Sequence, residues 1–134
     1  MKTNSVWLLE AAFILAFGVF HFAIPFIFPA KANVTINLFV NLHIADFVLP
    51  GCFLLATVSI VFVFTKNRYP AAILVFLYGG GIVFHALFLS GILPPVIVVP
   101  NSSAVLAGGI VIDALSIAAV YDFHRRSHLP KATA

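Results

Sequence analysis

The chain has 134 residues, of which 63% are hydrophobic and 8% charged, with a formal net charge of +3. A soluble domain carries about a quarter of its residues as Asp, Glu, Lys or Arg, so this composition excludes a soluble globular enzyme, a nucleic-acid binder and a disordered segment. Each bilayer crossing takes roughly 20 apolar residues, so the length accommodates about four helices and confines any chemistry to the membrane interior or its faces.

The first apolar run predicts a helix over residues 6–28, closed by Pro29 and Lys31. Lys2 ahead of the run and Ala30-Lys31-Ala32 behind it resemble a signal peptide, but signal cores are typically 7–15 residues and this run is longer, which favours a retained helix. The second run predicts a helix over 39–64, ended by Thr65-Lys66-Asn67-Arg68, and the third a helix over 69–93, stopped by Pro94-Pro95. Residues 96–99 are apolar but too few to span, and read as an interfacial or folded-back stretch before Pro100-Asn101-Ser102-Ser103. The fourth run predicts a helix over 104–121, after which Asp122, Arg125 and Arg126 stand at helical spacing as a local ion-pair cluster. The tail from Ser127 reads as frayed, with His124 and His128 solvated or touching anionic headgroups. No internal repeat is visible.

The fold class is therefore all-α: a single domain over 1–134, an integral membrane four-helix antiparallel bundle. Lys2, Lys66, Arg68, Arg125, Arg126 and Lys131 fall on one side of that topology and Lys31 on the other, which places both termini in the cytoplasm. Trp7, Tyr69 and Tyr121 share the cytoplasmic interface as an anchoring belt. Cys52 is the single cysteine, which excludes an internal disulfide and a cysteine-based zinc site and suits a small packing residue. Asn33-Val34-Thr35 and Asn101-Ser102-Ser103 are sequons on the outer side, of a kind that arises often by chance.

Ionisable groups inside spans are the informative residues, because each costs a few kcal/mol at the bilayer centre unless paired or hydrated. They are Glu10, His21, His43, Asp46, His85 and Asp113. At a rise of 1.5 Å per residue, His21 and His85 both stand about 22 Å above the inner ends of their helices, with Asp46 at roughly 28 Å and His43 near the outer boundary. Asp113 falls nearer the midplane. Glu10 lies in the first turns of its helix, close enough to the interface for hydration and a structural role. His43 and Asp46 are spaced i,i+3 and would share a helical face. Small residues accompany the others: Gly18 before His21, Gly81 four before His85 within Gly79-Gly80-Gly81, and Gly109 four before Asp113 with Ser116 after it. Such residues let backbones approach or leave room for a ligand, which aims the polar groups at a common axis.

Three chemistries fit this set. Imidazole and carboxylate from His21, His43, Asp46, His85 and Asp113 suit zinc, copper or iron, with a carboxylate ligating or orienting a ligating imidazole. A b-type haem held by His21 and His85 is the second. A quinone or proton-relay site is the third. The competing structural reading has the same groups hydrogen-bonding one another to fix helix register.

At Gly18-Val19-Phe20-His21-Phe22, followed by Pro25 and Pro29, the chain resembles the DoxX-like small membrane proteins, whose first helix often ends in a Gly-x-x-His-Phe run and proline. Asp46 early in the second helix and the basic turn before Ala71-Ala72 are similar too. The resemblance covers roughly the first three helices and departs at His85 and the proline-rich third loop. It implies a compact four-helix bundle, in some members a component of quinone-linked sulfur or thiol oxidation.

The expectation is a multi-pass cell-membrane protein, self-associating or part of a larger membrane complex, and a membrane oxidoreductase component with an outer-half His/Asp site holding haem b, a transition metal or a quinone. A small transporter or channel subunit, or a non-catalytic assembly subunit, is the alternative.

Overall fold

The computed structural model describes the backbone of residues 2–27, 35–37, 41–43, 45–93 and 102–128, and the side chains of 6–20, 50–93 and 103–128. Its elements are α1 (Lys2–Ile27), β1 (Thr35–Asn37), β2 (Asn41–His43), α2 (Ala45–Thr65), α3 (Arg68–Leu89) and α4 (Ser102–Ser127). Each helix packs on its neighbours in sequence and α4 closes back onto α1, with α3 against α4 and α1 against α2 the most extensive pairs. The start of α1 and the end of α4 meet at one end of the bundle, beside the turn between α2 and α3; the hairpin lies beyond the opposite end of α2.

Four helices are found where four apolar runs predict them, but their limits differ. The second helix begins at Ala45 and not at residue 39, because Thr35–Asn37 pairs antiparallel with Asn41–His43, bringing Thr35 opposite His43. The β-branched Thr35-Ile36 pair favours extended backbone, and a continuous apolar reading across Phe39-Val40 misses that punctuation. His43 therefore belongs to β2 while Asp46 opens α2, so the expected shared helical face does not exist. The third helix stops at Leu89, before the prolines. Ser90 donates its backbone N–H to Ala86, and Gly91 takes a φ of 75°, the left-handed cap that ends a helix most cheaply at glycine. The fourth helix runs on to Ser127, since Asp122 pairs with Arg125 and Arg126 one turn later and His124 packs inward.

Helical periodicity stacks the buried side chains in layers. Ile14, Phe62, Leu74 and Val120, one from each helix, are buried together. Phe123 lies one step nearer the termini, 5.3 Å from the Trp7 ring and 5.4 Å from Phe62. One turn in the other direction from Ile14, Phe62, Leu74 and Val120 come Gly18, Ser59, Tyr78 and Ser116, also buried. The outside is the reverse: Phe64, Phe76, Leu9 and Tyr121 are largely exposed. Among the described residues, α3 and Ser103–Ser127 of α4 are long and apolar enough to cross a membrane.

The termini end is tied by charge. Arg126 bridges Asp122, just past the apolar stretch of its own helix, and Glu10 of α1, with Nε 3.5 Å from Glu10 Oε1. Hydrogen bonds from Arg126, with a further one involving Glu10, hold the Asp122 carboxyl at about 2, below its ordinary 3.8. A lowered carboxyl pKa stabilises the fold above its unfolded value, and that contribution is lost as the pH falls through the folded one. The thermal midpoint is expected to be flat with respect to this group at neutral pH and to fall between about pH 3.8 and 2. Asp122→Asn should flatten that limb; identical acid profiles for the two proteins would show that the pairing contributes nothing.

Candidate functional site

Toward the hairpin end of the Tyr78 layer, α3 and α4 bring His85 and Asp113 together. His85 Nδ1 lies 3.1 Å from Asp113 Oδ2, with Asp113 buried and the His85 side chain 31% exposed. A single hydrogen-bonding proton lies along that line, and in an apolar bundle it has few competitors.

Two glycines make the contact possible. A Cβ on Gly81 would come within 2.5 Å of Asp113 Oδ2, and one on Gly109 within 2.8 Å of His85 Nε2 and Cε1. Each polar side chain thus rests on the glycine one turn before its partner: Asp113 on Gly81, and His85 on Gly109. The pattern is reciprocal because α3 and α4 run antiparallel and both place glycine at i−4 from the polar residue. Gly79 and Gly80, by contrast, have open space where a Cβ would stand, with nothing within 4 Å, and α3 passes through all three glycines without a break. Gly18 is used differently again. Its missing side chain admits Ser59, whose Cβ and Oγ would be 2.7 Å from any added carbon, so it brings α1 against α2.

The pair continues into a buried polar seam. Ser116, three residues after Asp113, donates to the Ile112 carbonyl at 2.9 Å, and Ser59 donates to the Leu55 carbonyl at 2.8 Å. With their protons directed to backbone, both hydroxyl oxygens present lone pairs as acceptors. Tyr78 is buried in the same layer as both serines. The seam therefore takes groups from α2, α3 and α4 and ends at Gly18 of α1.

Spacing along the chain singles out His85, Asp113 and both of their glycines, and the structure brings these together. It brings Asp113 into direct contact with His85 from beneath: Asp113 stands opposite Gly81, one turn nearer the termini end than His85. His21 stands one turn beyond Gly18 on α1, but its side chain, with those of His43 and Asp46, lies outside the described residues. By helical rise, Asp46 is about 20 Å from Ser59 along α2, whereas His85 is about 10 Å from Tyr78 along α3. Spacing does not point to Tyr78 or Ser59. Serine and tyrosine are common in apolar helices, and the one signal for Tyr78 is its position seven residues before His85 on the same face.

Among the described residues, no group of three His, Cys, Asp or Glu side chains converges as a metal centre would require. The His85–Asp113 pair has the form of an imidazole oriented by a carboxylate, an arrangement that also supports metal-bound histidines. Comparison with family models, with curated proteins and with solved structures finds no match.

Proposed function

We propose that this chain is a multi-pass membrane protein with both termini in the cytoplasm, acting as a component of a membrane oxidoreductase. In this reading the His85–Asp113 pair exchanges protons with a redox group in the outer half of the bundle. The observation that carries it is the burial of a carboxylate against an imidazole at 3.1 Å in helices whose exposed side chains are largely apolar. Such a surface suits lipid contact, since a water-soluble bundle would place its charges outside. A buried aspartate in a span is costly unless paired or hydrated, and pairing with histidine provides both a proton donor and a proton acceptor.

Glycines beneath both partners hold the pair at close range, and Tyr78 with the two serines adds further exchangeable protons beside it. A redox group that takes up or releases protons with its electrons, a quinone above all, would find both functions within about two helix turns. His21 on α1, one turn beyond Gly18, enters this reading as the second imidazole of a haem or metal site if the group is one of those.

The test is composition of the purified protein. Membranes are solubilised, and the protein is assayed for extractable quinone, for a Soret band and for stoichiometric metal. One redox group per chain in the wild type, reduced at least tenfold in His85→Ala with the helical circular dichroism unchanged, is the expected result. A wild type without any of the three, or a His85→Ala variant that retains the full amount, would sink the proposal.

A further inference from the structure

At the termini end, the turn between α2 and α3 forms a shallow open groove of about 520 Å³ against the last turn of α4. Its charged and titratable lining is Lys66, Arg68, His124 and His128, with Tyr69 at its edge and no acidic residue. Lys66 adopts a φ of 57°, the left-handed region that a side chain enters at a cost. Three contacts hold it there. His124 Nδ1–H and His128 Nε2–H both donate to the Lys66 carbonyl, at 3.2 and 3.1 Å, and Lys66 Nζ sits 4.6 Å from the Trp7 ring centre. Arg68 is fixed likewise, over the Tyr69 ring at 5.0 Å and donating to its hydroxyl at 3.2 Å. Among the described residues no carboxylate neutralises these cations: the nearby Asp122 is taken by Arg125 and Arg126. The groove is thus a built cationic concavity without an internal counter-ion.

Its surroundings say which anion. Further along α2 and α3, toward the bundle centre, Ile60, Phe64, Ile73 and Phe76 are exposed. A cationic groove at the level of Trp7 and Tyr69, on a bundle whose α2 and α3 expose apolar side chains, matches a molecule with a phosphate head and acyl tails. A free phosphate ion would use the first and not the second.

We propose that this groove binds the phosphate headgroup of an anionic phospholipid, with the acyl chains lying along α2 and α3. It rests on the membrane reading above, which fractionation of the unmodified chain between membrane and soluble extracts tests separately.

The experiment is native mass spectrometry of the full chain in neutral detergent with phosphatidylglycerol, with phosphatidylcholine of the same chains, and with inorganic phosphate as competitor. Phosphatidylglycerol is expected to be retained preferentially at one molecule per chain. Arg68→Gln should weaken that retention about fivefold, the effect of one cation near an anionic surface. Arg125→Gln, outside the groove, should leave it unchanged, and His128→Gln serves as a second groove variant should Arg68→Gln not fold. Equal retention of the two lipids would overturn the proposal, as would equal weakening by Arg125→Gln, which would mean diffuse charge. Full displacement by inorganic phosphate would overturn it in favour of a free-phosphate site.

Discussion

Gly81→Ala is expected to lower the stability of the bundle by about 1–3 kcal/mol, the cost of forcing a methyl group into a packed interior. The added carbon would meet Asp113 Oδ2 at 2.5 Å and its carboxyl carbon at 3.2 Å, and Asp113 is buried with little room to retreat. To admit the methyl, either α3 and α4 separate or Asp113 swings away from His85. The neighbouring Gly80→Ala supplies the control within the same helix. Nothing lies within 4 Å of its added carbon, and alanine is intrinsically the better helix former by about 1 kcal/mol. Thermal unfolding of both variants in detergent should place Gly80→Ala at or above the wild type and Gly81→Ala below it. Equal midpoints would mean that Asp113 does not rest on Gly81.

Asp113 itself should separate stability from chemistry. Asp113→Ala removes the partner of a part-buried imidazole and leaves a void in the seam, at an expected cost of about 1–3 kcal/mol for the unsatisfied group. Asp113→Asn keeps shape and an acceptor oxygen for His85 Nδ1, so its thermal midpoint should stay close to that of the wild type. It loses the capacity to take a proton. If the pair exchanges protons with a redox group, Asp113→Asn should slow the proton-coupled reduction of that group by about a hundredfold, within the usual range for general acid–base catalysis. Rapid-mixing reduction followed by absorbance gives the rate. An Asn variant as fast as the wild type would reduce Asp113 to a helix-register device, whatever its stability.

Helix number, and His85 and Asp113 as separate polar positions, were legible because both depend on local spacing. Long apolar runs separated by proline or basic turns announce helices, and a glycine four residues before a buried polar residue announces a close neighbour at that face. The spacing could not say that His85 and Asp113 rest on each other's glycines, because that depends on how far α4 slides along α3. Nor was the hairpin legible. Three-residue strands carry too few side chains to show a period of two, and the apolar Phe39-Val40 between them merges with the apolar pattern of α2. Tyr78 and Ser59 were invisible for a different reason. Their polarity is modest, and only the alignment of four helices turns them into one seam.

The buried layer of Ile14, Phe62, Leu74 and Val120 has a consequence for that seam. It fills the bundle on the termini side of Ser59, Tyr78 and Ser116, with Phe123 behind it, and none of these side chains offers a donor or acceptor. Between the seam and the Glu10–Arg126 cluster lie about two turns of hydrocarbon. The bundle is thereby insulated along its length. In the membrane reading proposed above, the His85–Asp113 pair would exchange protons with one face of the bundle and not with the other.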